Sequence, residues 1–259
     1  MTFLSGPRPR IIAHRGLAVD APENTLLAFL RALSAGATHL ETDVHATADG
    51  VAVISHDPDL SRVADRPERI QDLTMAELRN IRLPHGQTFC SLAEALDAFP
   101  EARFNIDIKD ARAAEPAAHA IRDARATQRV LIASFDEQRR RTTVDMLPGV
   151  ASSASLARLA PAVIAAKLGL AGVARRHLKG FEAVQVPERR GPLKLVSPRT
   201  VRLFHRAGVE VHVWTVNDPA DMRRLLAWGV DGIVTDRCDV LKALVDAGNR
   251  PESALGETA

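Results

Sequence analysis

Two cysteines in 259 residues, Cys90 and Cys238, are too few and too far apart for a disulfide framework or a thiolate metal site. Long apolar runs are also missing: none approaches the roughly 18 residues needed to span a membrane. Met1 to Pro9 lacks the apolar stretch of a secretion signal. Together these absences make a reduced, cytoplasmic setting the expectation. Net charge is almost absent, with 34 Lys and Arg facing 32 Asp and Glu. The arginines are scattered along the chain, which does not suggest the basic face of a nucleic-acid binder. No internal repeat is visible.

What is present is an ordinary globular composition, 46% hydrophobic and 25% charged, in a chain long enough to bury a full core. Short β-branched runs alternate with segments of helical period. Strands are expected at 10–13, 38–44, 51–55, 103–109, 130–134, 150–153, 182–186, 209–215 and 231–234. Helices are expected at roughly 23–35, 91–98, 114–126, 136–146, 198–207 and 218–228. Parallel neighbours need a crossover connection, so this rhythm implies an α/β fold, a (β/α)8 TIM barrel over residues 1–259. Nine strands are one too many. The gap between 38–44 and 51–55 is too short for a crossover helix, so one of that pair lies outside the barrel. Residues 57–90 break the rhythm with Pro58, Pro67 and Pro84 and read as an insertion, a lid or small subdomain. Within them Met75 to Arg82 forms a helical patch preceded by Asp72-Leu73-Thr74. Residues 248–259 read as a flexible tail.

Two strands carry acidic groups at alternate positions. Glu41 and Asp43 leave one face while Leu40, Thr42 and Val44 leave the other. Asn105, Asp107 and Lys109 repeat the pattern against Phe104, Ile106 and Ile108. On an antiparallel edge such faces would simply be solvated. In a parallel barrel both faces are covered, so inward charges must be paired or bind a metal. Three carboxylates without thiolates suit a hard cation, Mg2+ or Ca2+. Arg15 and Lys109 would complete an anion site. His14 ends the first strand and His56 follows the third; either taken alone is more often structural. At a strand-to-loop junction, however, two imidazoles can serve as base and acid near neutral pH.

In order along the chain stand His14-Arg15-Gly16, Pro22-Glu23-Asn24-Thr25, Glu41-Thr42-Asp43-Val44, Thr47-Ala48-Asp49-Gly50, His56-Asp57-Pro58 and Asn105-Ile106-Asp107-Ile108-Lys109. Ala133-Ser134-Phe135, Val213-Trp214-Thr215-Val216-Asn217 and Asp231-Gly232-Ile233-Val234-Thr235-Asp236 follow. From about residue 10 to 240 this series resembles the glycerophosphodiester phosphodiesterase family, within the phospholipase C-like barrels. The resemblance implies metal-dependent hydrolysis of a glycerophosphodiester to sn-glycerol 3-phosphate and an alcohol. It implies His14 and His56 as the acid/base pair, Glu41, Asp43 and Asp107 as ligands of Mg2+ or Ca2+, and Arg15 and Lys109 as phosphate contacts. Trp214 falls where an aromatic lines the glycerol or leaving group, or else packs the barrel. Glu23 is read as a polar group near the site and Asn24 as a helix cap. Asp107 stands where the family usually has Glu, and Cys90 where it often has Pro. His45 lies near the metal rim, His205 and His212 read as structural, and Asp236 and Gln185 end later strands. A lysophospholipase D-type enzyme, a lyase stopping at cyclic phosphate, and a non-catalytic phosphodiester-binding barrel are the alternatives.

Overall fold

The computed structural model describes residues 2–248. The chain opens with β1 (Arg10–His14), α1 (Leu26–Ser34), β2 (His39–Ala46) and β3 (Ala52–Ile54). Three helices follow, α2 (Ser61–Ala64), α3 (Met75–Asn80) and α4 (Leu92–Ala98). The middle comprises β4 (Phe104–Ile108), α5 (Ala114–Asp123), β5 (Val130–Ala133), α6 (Glu137–Asp145) and β6 (Ala151–Ser152). Next come α7 (Leu156–Leu168), α8 (Ala171–Leu178), β7 (Ala183–Pro187), a small hairpin of β8 (Arg189–Arg190) with β9 (Leu193–Lys194), and α9 (Pro198–Ala207). β10 (Glu210–Trp214), α10 (Pro219–Ala227), β11 (Gly232–Thr235) and α11 (Cys238–Gly248) complete the described chain.

Eight strands pair in parallel in the order β6-β5-β4-β2-β1-β11-β10-β7. A single parallel bridge, Ser153 to Ala183, joins the two ends into a nearly closed barrel. The extra ninth strand is β3. It pairs antiparallel with the end of β2, His45 opposite Val53, and so extends a barrel strand into a hairpin outside the ring. Five residues between these strands permit only an antiparallel return.

The outward faces of the strands build the main core with the helices, through side chains such as Phe29, Leu40, Phe104, Ile106, Val211 and Ile233. Residues 57–90 gather a second cluster of their own, with Leu60, Ile70, Met75, Leu78 and Phe89 packed on Val53. Thr74 caps α3 in a reciprocal box with Glu77.

Four helices went unforeseen: the short α2, and α7, α8 and α11. α7 is apolar on most sides and carries Pro161 within it, so it shows neither a clean stripe nor an unbroken helical pattern. Gly248 ends α11, one residue into the expected tail, and 249–259 lie outside the described residues. Cys90 and Cys238 are both buried and unbridged. Among the described residues no helix is long and apolar enough to cross a membrane.

Candidate active site

The C-terminal ends of β1, β2 and β4 lie side by side. Their register sets His14 opposite Glu41 and Asp43 opposite Asp107. The backbone then brings in His56, because the Ser55 amide donates to the Asp43 carbonyl at 3.0 Å. Arg15 has a left-handed backbone, φ +55, which turns the chain sharply after His14. Its amide lies 3.0 Å from the Glu41 carbonyl and 3.1 Å from Glu41 Oε2. Gly16 completes the turn at φ +83. A Cβ there would meet the Ala28 backbone at 2.7 Å, so only glycine lets this loop rest on α1.

Each histidine is oriented by a carboxylate. His14 Nδ1 lies 2.7 Å from Asp236 Oδ1, and His56 Nδ1 lies 2.7 Å from Asp57 Oδ1. Burial alone would lower the His14 pKa, but Asp236 and the Glu41 charge outweigh it and hold it above the usual value. Asn217 steadies Asp236 from behind, donating from Nδ2 at 2.6 Å. Asp57 is in turn gripped by Arg62, whose Nε is 2.6 Å from Oδ2. The rest of that guanidinium forks onto Glu23, at 2.9 and 2.6 Å. Arg15 reaches Glu23 from the opposite side at 3.0 Å. A chain of alternating charge therefore runs Arg15–Glu23–Arg62–Asp57–His56. Burial would raise the Glu23 and Asp57 carboxyls, yet Arg62 and Arg15 bring Glu23, and the hydrogen bonds from His56 and Arg62 bring Asp57, below the usual range.

Glu41, Asp43 and Asp107 are all buried. Burial, then repulsion from Asp43, pushes the Glu41 carboxyl up to about 8. Asp107 is also raised, chiefly by burial, against the pull of Lys109. The Lys109 ammonium sits between two of the three, 2.9 Å from Asp43 and 2.7 Å from Asp107. Arg15 Nε approaches Asp43 at 3.3 Å. Among the described residues no three side chains of His, Cys, Asp or Glu are gathered closely enough to cage an ion. The donor set nonetheless fits a hard divalent cation. It consists of buried carboxylate oxygens, and Asp107 Oδ1 and the neighbouring Asn105 Oδ1 are buried without a partner. Protein interiors seldom leave such acceptors bare, and Lys109 alone does not satisfy them.

Asn24 corrects the expectation made for it. Thr25, not Asn24, caps α1. Asn24 is buried with a left-handed backbone, φ +57, and donates from Nδ2 to Asp43 at 3.1 Å. Thr42 fixes its orientation by donating to Oδ1 at 2.8 Å. His45 is buried, its Nε2 3.1 Å from the His56 carbonyl, so it supports the backbone beside His56. Trp214 is half-buried at the end of β10, edge-on to the exposed Phe135 at 5.8 Å, and forms an aromatic wall on the same rim. Gln185 meets Ser153 at 3.3 Å, and His205 and His212 pair with Asp231 and Glu210 at the other end of the barrel.

Beside His56 opens a cavity of about 280 Å³ between the loop before α1 and the insertion. Glu23 and Arg62 mark its polar side; Ile54, Val63, Leu83 and Phe89 form its apolar wall.

Comparison with known proteins gives one consistent result. The family model described as "Glycerophosphoryl diester phosphodiesterase family" matches residues 14–240. The chain is 42% identical to the "Probable glycerophosphodiester phosphodiesterase 2" of Mycobacterium tuberculosis, over 91% of this chain and 90% of that protein. A glycerophosphodiester phosphodiesterase from Thermotoga maritima superposes with a TM-score of 0.72 at 25% identity, covering 92% of this chain and 100% of that one. A phosphodiesterase of Oleispira antarctica, solved with its product sn-glycerol-3-phosphate, superposes at 0.74 with 23% identity over 92% and 97%. At that identity the last likeness speaks for the fold.

Proposed function

The chain belongs to the glycerophosphoryl diester phosphodiesterase family, and from that premise we propose a metal-dependent hydrolase that cleaves glycerophosphodiesters to sn-glycerol 3-phosphate and an alcohol by two-histidine acid/base catalysis. One observation carries this reading: two histidines, each oriented by its own carboxylate, stand on the rim where three buried carboxylates meet Arg15 and Lys109.

Because Asp236 and Asp57 engage the Nδ1 atoms, both imidazoles present Nε2 to the substrate. In the neutral form that nitrogen accepts a proton from the nucleophile, either water or the glycerol 2-hydroxyl, the latter giving a cyclic phosphate that water then opens to glycerol 3-phosphate. In the protonated form it donates one to the departing alkoxide. Glu41, Asp43 and Asp107 would hold Mg2+ or Ca2+, which when bound neutralises phosphoryl charge. Arg15 and Lys109 orient the phosphoryl oxygens and meet the charge that develops on them. Lys109 stays protonated throughout the neutral range: burial disfavours its charge, but Asp43 and Asp107 more than restore it. Glu23, joined to Arg15 and Arg62, is placed to accept from a substrate hydroxyl, and Trp214 with Phe135 walls the opposite rim.

The apolar wall formed by Ile54, Val63, Leu83 and Phe89 favours a second reading, in which the diester is a lysophospholipid with its chain against that wall.

The test uses metal-stripped protein with glycerophosphocholine and glycerophosphoethanolamine, adding back Mg2+ or Ca2+ and detecting glycerol 3-phosphate. Metal-restored release supports the proposal. Full turnover without metal would remove the role given to the carboxylates. Choline release from lysophosphatidylcholine, with no turnover of the two glycerophosphodiesters, would establish the second reading.

A further inference from the structure

Residues 146–209 carry charge of almost one sign. Eleven Lys and Arg stand there against only Glu182 and Glu188, a formal net of +9. The whole chain carries +2, so the remaining residues sum to −7. Seven of the eleven cations stand on α7, α8 and α9, which pack against one another and carry no acid; Lys179 follows α8, and Arg189, Arg190 and Lys194 are on the β8–β9 hairpin. All eleven except Lys167 are exposed. Among the described residues only Arg158 reaches a carboxylate, Glu137 at 3.5 Å.

The same stretch leaves aliphatic side chains uncovered. α7 buries Leu159, Ala162, Val163 and Ala166 against the barrel. Its outer row, at four-residue spacing, is Leu156, Ala160, Ile164 and Leu168, with Ile164 60% and Leu168 66% exposed. Val173 on α8 and Leu193 on the β8–β9 hairpin are also exposed. Single exposed aliphatics are ordinary, but a helix apolar on both faces normally has something on its outer side. Cations are interleaved with this row. Arg199 of α9 lies against the turn between α7 and α8, where a Cβ on Gly169 would meet its Nη2 at 2.6 Å. A guanidinium therefore lies over Gly169, the residue between Leu168 and Leu170 in the chain.

Charge decides the occupant. A second copy of the chain would set one cationic face against another, which disfavours association through this face. A nucleic acid would use the arginines but leave the aliphatic row in water. A bilayer with anionic headgroups uses both, taking the aliphatics at the acyl boundary and the cations among the phosphates. We propose that the α7–α9 face docks on the surface of membranes containing anionic phospholipid. This inference stands apart from the reading of the catalytic rim.

Co-sedimentation with phosphatidylcholine vesicles, with and without phosphatidylglycerol, tests it. Binding is expected only with phosphatidylglycerol and should weaken as salt is raised. The double variants Arg175→Glu with Arg176→Glu, and Ile164→Glu with Leu168→Glu, should each weaken partition by about tenfold or more. Turnover of a soluble glycerophosphodiester should be unchanged, which checks that both variants fold. Failure of the wild type to bind phosphatidylglycerol vesicles at low salt would overturn the proposal, as would wild-type partition by both variants. Duplex DNA bound equally well by the aliphatic variant would reassign the face to nucleic acid. A dimer in sedimentation that the aliphatic variant abolishes would reassign it to a second copy.

Discussion

The two ends of the barrel lumen both bury charge, but they resolve it differently. At the N-terminal end Arg10 is fully buried and forks onto Glu210 at 3.0 and 2.8 Å. It also donates to the carbonyls of Leu4, Ser5 and Gly6. Phe3 fills the mouth of the lumen against Leu131, Ala133 and Ala183, and its carbonyl accepts from His39. Opposite charges there are matched by this chain's own groups. At the C-terminal end acids outnumber the bases among them, Glu41 is pushed up to about 8, and Asp107 Oδ1 has no partner. A matched cluster serves to hold the fold, whereas one left short of cations is suited to a ligand. This is the division between stability face and reaction face expected of a TIM barrel.

The comparison can be tested from either end. The largest effect belongs to the reaction face: His14→Ala or His56→Ala should lower kcat on the order of 10²–10⁴-fold while leaving thermal stability near wild type. Wild-type turnover in both would dissolve the assignment. Arg10→Met reverses the pattern. It should cost about 3 kcal/mol of stability, at the low end for a broken buried pair because Arg8 still reaches Glu210 at 2.9 Å. Its kcat should be unchanged in protein that remains folded, and a large fall in turnover would mean that the two ends are coupled. Arg62→Ala should lower kcat on the order of tenfold by loosening Asp57 and hence His56, with little change in melting temperature. Arg62→Lys should recover part of the loss; no recovery would point to the lost fork onto Glu23 instead.

The smallest effect is an acid limb of stability. Burial would raise Glu210, yet His212 and Arg10 hold it down at about 2. Glu137 is likewise at about 2, with Arg140 and Ser155 outweighing burial. Both folded values lie below the ordinary 4.5, so the unfolded chain takes up more protons as pH falls. This contribution is complete above 4.5 and fades toward pH 2. Melting temperatures in that window should fall, and Glu210→Gln should flatten the slope. A flat wild-type profile would contradict the pairing.

The reaction face was legible because a parallel strand repeats every two residues. Glu41 with Asp43, and Asn105 with Asp107, had to share a face, and burial of that face followed from the crossover rhythm. His56 was legible through its position after β3, although sequence alone left open which of β2 and β3 joined the barrel. Arg62 was not, since its link to Asp57 and Glu23 depends on how residues 57–90 fold back over the rim. Asn24 misled because a polar residue before a helix ordinarily caps it, and only its left-handed backbone turns it toward Asp43. The +9 stretch was hidden for another reason: the near-neutral balance of the whole chain masks it, and only a count confined to residues 146–209 exposes the imbalance.

The hairpin of β2 and β3 has a bearing on how the cavity beside His56 is shaped. The Ile54 amide donates to the Cys90 carbonyl at 3.0 Å, and Val53 bridges to Ser91. Residues 57–90 therefore leave the barrel and return to it almost at the same point. Between those ends the segment is also tied to the β2–β3 turn, where the Ala48 amide donates to the Leu73 carbonyl at 2.8 Å and the Met75 amide to Asp49 at 3.0 Å. Because this segment supplies much of the cavity wall beside His56, a change in its residues reshapes that wall from outside the ring, while the carboxylates on β2 and β4 keep the register set by their own pairing.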